Sequence, residues 1–153
     1  MASLALRRLI PALRSTGLSL EAIASGRHTQ EFAYLLDRAG AGIGYRYKWD
    51  VYGPFSVDLA EDLGKIDELE AAELQGNPWP GIDEAAEKVT AIATPPAGQT
   101  EEAWLRLLVC VDFLKHRSKV SLENGETPPF VRRNFQPDQI REAEERVQEL
   151  AIA

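Results

Sequence analysis

The segment Glu101 to Arg117 is the part of the sequence that most constrains the fold. Thr100 precedes it as an N-cap residue, and its apolar side chains leave little room for a polar face on a helix. They are Trp104, Leu105, Leu107, Leu108, Val109, Val111, Phe113 and Leu114. Other elements must cover such a helix, so we expect it at the centre of the core. The chain has 153 residues, which predicts a single domain over residues 1–153.

Apolar residues at helical spacing predict further helices on both sides of this segment. The predicted ranges are Ser3 to Arg14, Leu20 to Ala24, His28 to Ala39, a helix capped by Ser56 that runs toward Leu69, Asp83 to Ala93, and a last helix that starts at Pro137. Pro11 is expected to kink or end the first helix, because proline removes a backbone donor. Turns or loops are predicted at Asn77 to Gly81 and at Pro128 to Phe130.

One stretch has the periodicity of a strand instead. Tyr45, Tyr47 and Trp49 alternate with Arg46, Lys48 and Asp50, and the sequence Tyr52-Gly-Pro-Phe55 is expected to turn. The predicted fold class is therefore mainly α, with at most one short β-hairpin near residues 43–52.

Most kinds of catalytic and cofactor site lack their motifs. Cys110 is the only cysteine, so an intramolecular disulfide is excluded, and this cysteine usage fits a reducing cytoplasm. Because Cys110 lies in an apolar run, we expect a packed thiol rather than a nucleophile. Neither His28 nor His116 has a second His or Cys at ligand spacing, so no metal is predicted. No P-loop, dinucleotide fingerprint, HExxH or GxSxG is present, and we expect no cofactor.

We therefore expect a protein that is not an enzyme. An unrecognised enzyme remains an alternative, which would need a pair of acids beside Trp49 or Tyr52. No apolar run approaches the roughly 18 residues of a membrane span, so a membrane partner is not expected.

The net charge of −7 is concentrated in the middle of the chain. Met1 to Val57 has seven Lys or Arg and four Asp or Glu, Asp58 to Glu102 has two and twelve, and Ala103 to Ala153 has eight of each. The segments therefore carry +3, −10 and 0. This distribution argues against a uniformly basic nucleic-acid binder.

The stretch Gln30 to Ile66 carries a family resemblance. Its parts are Gln30-Glu31-Phe32-Ala33-Tyr34-Leu35-Leu36, then Tyr45 to Ser56 with the core Tyr52-Gly53-Pro54-Phe55-Ser56, then Leu59-Ala60-Glu61-Asp62-Leu63. These residues resemble the YwgA-like family and, more distantly, the SocA-like (Panacea) antitoxins and the C-terminal domain of macrodomain antitoxins. Phe55 stands where that family more often has Tyr.

The resemblance implies a small helical, winged-helix-like domain without established enzymatic activity. In members joined to macrodomains it implies an antitoxin role, in which this part occludes a DNA-ADP-ribosylating toxin by occupying its nucleic-acid groove. No catalytic residue comes with the resemblance.

Two functional hypotheses follow. The first is a protein-interaction module that presents carboxylates to a basic partner through Asp58, Glu61, Asp62, Asp67 and Glu68, with Asp58, Glu61 and Asp62 near one helix face. Its alternative is a solvated helix face that serves only solubility.

The second hypothesis is a nucleic-acid-binding regulator in which aromatic and basic side chains contact bases and phosphates. The contact residues would be Tyr45, Arg46, Tyr47, Lys48, Trp49 and Tyr52. Its alternative is that the aromatic rings face the core while the cations face water.

Overall fold

The computed structural model describes residues 4–26, 28–50, 53–74, 81–116 and 129–150. Tyr52, residues 77–80 of the predicted turn, and Pro128 lie outside them. The described helices are α1 (Leu4–Ser15), α2 (Leu20–Ser25), α3 (Thr29–Leu36), α4 (Val57–Leu63), α5 (Glu68–Leu74), α6 (Ile82–Ala93), α7 (Glu101–His116), α8 (Pro129–Asn134) and α9 (Pro137–Val147). Strands β1 (Lys48–Asp50) and β2 (Gly53–Phe55) pair antiparallel. The mainly α fold with one short hairpin is confirmed.

Helix α7 is the centre of the core, as its composition predicts. Its side chains from Trp104 to Leu114 are buried with one partial exception, Arg106, and the helix packs against α3, α6, α9 and β2. The hydroxyl of Thr100 accepts a hydrogen bond from the N–H of Ala103 at 3.1 Å and caps the helix. The indole of Trp104 donates to the carbonyl of Ile92 at 2.8 Å, which joins α7 to α6.

The ends of three other helices also follow from the sequence. The hydroxyl of Ser19 accepts from the N–H of Ala22 and caps α2, and Gly26 ends it in the left-handed conformation. Pro137 opens α9, whose Ile140, Ala143 and Val147 are buried. Helix α6 covers the predicted range.

Helix α1 continues through Pro11, so the expectation that this proline ends the helix is wrong. Leu9, Ile10, Pro11 and Leu13 are all buried, and the helix packs against α3 and α6. Burial of this apolar face stabilises the helix by more than the lost backbone hydrogen bond destabilises it.

The predicted helix from Ser56 toward Leu69 is wrong, because the chain forms two helices there. Helix α4 ends at Leu63, and the side chain of Ile66 is buried in the core before α5 begins. A carboxylate oxygen of Asp67 then accepts the N–H of Glu70 at 2.8 Å and starts α5 as a new helix.

Helix α3 passes into a π turn, Asp37–Ala41, in which Gly40 has φ +100°. The carboxylate of Asp37 accepts the N–H of Ile43 at 2.7 Å and that of Gly44 at 3.2 Å. These bonds direct the chain from the π turn toward β1. Gly40 lies inside the π turn, where the helical segment that begins with α3 ends.

The hairpin differs from its prediction, because Gly53-Pro54-Phe55 forms the second strand rather than a turn. Trp49 faces Pro54 in the register, and Asp50 faces Gly53. Gly53 has φ +119°, and a Cβ atom there would lie 2.6 Å from the sulfur of Cys110. Strand β2 can therefore lie on α7 only where residue 53 has no side chain. Near the C-terminus, Pro129 begins α8, where a loop was predicted.

We predict that Gly53→Ala lowers the free energy of unfolding by about 2–4 kcal/mol, through backbone strain and overpacking against Cys110. Gly98→Ala is the matched control, because Gly98 has φ +88° but open space around it. Its loss should be about 1 kcal/mol. Urea denaturation measures both, and equal losses in the two variants would contradict the close approach of β2 to α7.

Candidate functional site

The aromatic side chains of residues 45–49 face the core. Tyr45 and Tyr47 are each only 6% exposed, while Arg46 and Lys48 point to solvent. The Trp49 ring is partly buried, with its centroid 6.0 Å from that of Phe113. Neither ring therefore offers an open face on which a base could stack, and the burial of Tyr45 and Tyr47 favours the alternative in which the aromatic rings face the core. Tyr52 lies outside the described residues.

A buried carboxylate that the sequence analysis missed organises the inner side of this region. Asp112 lies on α7 and is fully buried. One of its oxygens, Oδ2, accepts a hydrogen bond from the Tyr34 hydroxyl at 2.6 Å and another from Nε of Arg38 at 2.8 Å. Oδ1 lies 3.6 Å from Nε2 of His116. The sequence does contain a signal for this network, because Asp112 is an acidic residue within the most apolar predicted helix. A buried charge requires partners.

This network joins three elements around α7. Tyr34 comes from α3 and Arg38 from the π turn, and the Tyr34 ring meets the Tyr47 ring edge-to-face at 5.1 Å. Because the carboxylate of Asp112 is fully buried, it fixes these elements and offers no surface to a partner.

The side chain of Gln30 fastens the end of β2 to α3. Its amide donates to the carbonyl of Ser56 at 2.9 Å, and its carbonyl accepts the N–H of Ser56 at 3.0 Å. The hydroxyl of Ser56 accepts the N–H of Leu59 at 3.2 Å and caps α4. One glutamine thus positions both the strand that precedes Ser56 and the helix that follows it.

The predicted acidic face is divided between two helices. Asp58 and Glu61 are exposed on α4, whereas Asp67 and Glu68 are exposed at the start of α5. Asp62 is turned inward, and its carboxylate accepts the Tyr45 hydroxyl at 2.7 Å. A partner-binding role for Asp62 is therefore not supported, and Glu68 does not share a helix with Asp58.

A cleft of about 550 Å³ opens beside this acidic segment, between the start of α3, β2 and the first half of α7. Its charged lining residues are Glu31, Asp50, Glu102 and Arg106, and His28 also lines it. A guanidinium nitrogen of Arg106 lies 3.7 Å from Oε1 of Glu31. The sequence analysis did not identify this cleft, because its walls come from distant parts of the chain.

Phe55 connects this cleft to a second one. The Phe55 side chain, 37% exposed, lines both the larger cleft and a groove of about 320 Å³ that extends to Ala60, Leu63 and Gly64 on α4. The cleft and the groove thus share Phe55 as a lining residue, together with Gly26 and Gln30.

Cys110 lies beneath β2 and is fully buried. Burial raises the pKa of its thiol to about 12, so the thiol stays protonated at neutral pH. The prediction that the Cys110 thiol is packed in the core is confirmed. A protonated, buried thiol is a poor nucleophile.

Within the described ranges, no three His, Cys, Asp or Glu side chains come together as metal ligands. No helix in those ranges combines the length and apolar character needed to cross a membrane.

Comparisons with known proteins give no relative. No protein-family model, curated protein or solved structure matches this chain. Membership of the YwgA-like family and a winged-helix-like fold therefore stay predictions. The residues that carry the resemblance do contact one another, through the Gln30–Ser56 and Tyr45–Asp62 pairs and the edge-to-face contact of the Tyr34 and Tyr47 rings.

We predict that Asp112→Ala lowers the free energy of unfolding by about 2–4 kcal/mol, because it leaves the buried Tyr34 hydroxyl without its acceptor and removes the ion pair with Arg38. Tyr34→Phe removes one hydrogen bond and should lower it by about 1–2 kcal/mol. Glu145→Ala, at an exposed position on α9, is the control and should change it by less than about 0.5 kcal/mol. Urea denaturation is the measurement. Losses no larger than the control's would show that the network is not a stabilising centre.

Proposed function

We propose that this chain is a non-enzymatic, cytoplasmic protein-interaction module, with an antitoxin-like role toward a partner that acts on nucleic acid. The observation that carries the proposal is the surface of residues 55–69. It exposes large apolar side chains among carboxylates, which is the composition of a binding surface with a polar rim.

The apolar part of this surface consists of Phe55, Val57 and Leu69, which are 37%, 62% and 70% exposed. Of the large apolar side chains described, Leu4 alone is also exposed to this extent. A helix face kept for solubility gains nothing from exposing Val57 and Leu69. Their concentration in one short segment supports a role in binding.

The charged part favours a basic protein partner over nucleic acid. Asp58 and Glu61 on α4, and Asp67 and Glu68 at α5, present carboxylates to solvent. Carboxylates of one sign attract the basic cleft of a nucleic-acid-binding protein and increase the association rate, whereas they repel phosphates. This arrangement supports an inhibitor that competes with nucleic acid for its partner.

The buried groups support binding rather than catalysis. The Cys110 thiol is buried and protonated, and the Asp112 carboxylate is enclosed by Tyr34 and Arg38. Neither group can reach a substrate at the surface. Beside Phe55, the described polar side chains that line the cleft are those of Glu31, Asp50, Glu102 and Arg106, with His28 and Gln30.

The test compares three tagged forms of the chain as bait in its native host. They are the unaltered chain, Asp58→Lys with Glu61→Lys, and the control Glu87→Lys with Glu145→Lys, which changes the net charge equally at exposed sites on α6 and α9. We expect one protein to be retained by the unaltered chain and the control. Its retention, measured by quantitative mass spectrometry, should fall about tenfold or more with the α4 variant.

A parallel titration with a short DNA duplex at low salt separates the two hypotheses. We expect no binding. Binding to the duplex that disappears in Arg46→Gln with Lys48→Gln would contradict the proposal and favour a nucleic-acid regulator. An identical set of retained proteins for all three baits would also contradict it.

A further inference from the structure

We propose that the cleft beside Phe55 binds an arginine side chain from an extended basic segment of the partner protein. This inference rests on the proposed function and names the chemistry that the partner must present. It assigns a second contact surface, distinct from the exposed carboxylates of α4 and α5.

The shape of the cleft fits a long side chain that enters from a neighbouring backbone. Its volume is about 550 Å³, and Pro54, Phe55 and Val109 form apolar parts of its wall. The groove of about 320 Å³ that Phe55 also lines can take an adjacent apolar side chain of the same segment. The exposed ring of Phe55 would then contact two successive parts of the ligand.

The charge of the cleft favours a cation. Among the described residues, three carboxylate side chains line it, against one guanidinium. Arg106 is paired with Glu31, and no cationic side chain among the described residues lies within ion-pair distance of Asp50 or Glu102. A cleft with walls of low dielectric constant focuses the potential of such uncompensated carboxylates.

Arginine fits this lining better than lysine does. A guanidinium is planar, stacks on an aromatic face and donates several hydrogen bonds to carboxylates at once. The exposed Phe55 ring and the carboxylates of Asp50 and Glu102 line the same cleft and offer both kinds of contact. Among the described residues of the lining, Arg106 is the one guanidinium that an anionic ligand could contact, and it is paired with Glu31.

The walls of the cleft are fixed without a ligand. The two hydrogen bonds between Gln30 and Ser56 hold the end of β2, and Gly53 lies directly against Cys110 on α7. A pre-formed site loses little conformational entropy on binding, so a short peptide is a sufficient probe.

The test uses a short, blocked, fluorescein-labelled peptide with one arginine between two leucines. Its partner probe has citrulline in place of arginine, which keeps the shape and removes the charge. We expect the citrulline peptide to bind about tenfold more weakly to the full chain, as measured by fluorescence anisotropy. Replacement of the arginine by lysine should give an intermediate affinity.

Two neighbouring carboxylates provide a matched pair of variants. Glu101 and Glu102 are both exposed in the first turn of α7, but only Glu102 lines the cleft. Their effects on the helix dipole are alike, so a difference between them reports contact with the ligand. We expect Glu102→Gln to lower the affinity for the arginine peptide about fivefold. Glu101→Gln should change that affinity by less than about twofold.

The outcomes separate this inference from the proposed function. Equal affinity for the arginine and citrulline peptides, equal effects of Glu101→Gln and Glu102→Gln, or no binding of the arginine peptide would each overturn the arginine site. If a protein partner that depends on Asp58 and Glu61 is still retained, the proposed function stands while this inference fails. If the peptide binds as expected and no partner depends on α4, the arginine site stands and the proposed function fails.

Discussion

The close approach of β2 to α7 at Gly53 is the constraint on which the functional surface depends. Since a Cβ atom at this position would lie 2.6 Å from the Cys110 sulfur, the strand reaches the helix only through a residue without a side chain. Gln30 then holds the backbone of Ser56, and Ser56 caps α4. Phe55 is left at the surface between two fixed points, where it lines both the cleft and the groove. The exposed carboxylates of α4 follow immediately in the chain, so one contact positions the apolar and the acidic parts of the surface together.

The buried Asp112 network supports the same arrangement from inside. It connects α7 to α3 through Tyr34 and to the π turn through Arg38, and the Tyr34 ring contacts Tyr47 just before β1. Desolvation of this carboxylate is unfavourable, and the hydrogen bonds from Tyr34 and Arg38 offset it. The polar groups of the molecule thus separate into two sets. The Tyr34 hydroxyl, the Arg38 guanidinium and Oδ2 of Asp112 are paired inside and fix the scaffold, while Asp50 and Glu102 in the cleft beside Phe55 are exposed to solvent, as a binding surface requires.

The sequence predicts the elements of this fold better than it predicts the site. A helix with almost no polar face could only be central. The alternation of aromatic and charged residues left open whether Tyr45 and Tyr47 face a ligand or the core, and the structure buries both, although β1 contains only three residues. The break between α4 and α5 was not predictable, because Gly64 within a helix lowers stability by only about 1 kcal/mol. The helix ends there because the Ile66 side chain is buried in the core, which only the tertiary structure shows. The cleft was not predictable either, because its described walls come from residues 26, 28–31, 50, 53–55 and 102–109, which only tertiary packing brings together.

Chemical-shift mapping tests the central claim most directly, because it locates the ligand without any substitution. The ¹⁵N-labelled chain would be titrated with the arginine peptide, and the backbone amide signals followed by NMR. We expect progressive shifts confined to the lining of the cleft and groove, at residues 24–26, 28–31, 50, 53–55, 60–64 and 102–109, with α6 and α9 unchanged. Shifts centred on Arg46 and Lys48, or on α9, would contradict the claim that the surface around Phe55 is where this protein binds its partner.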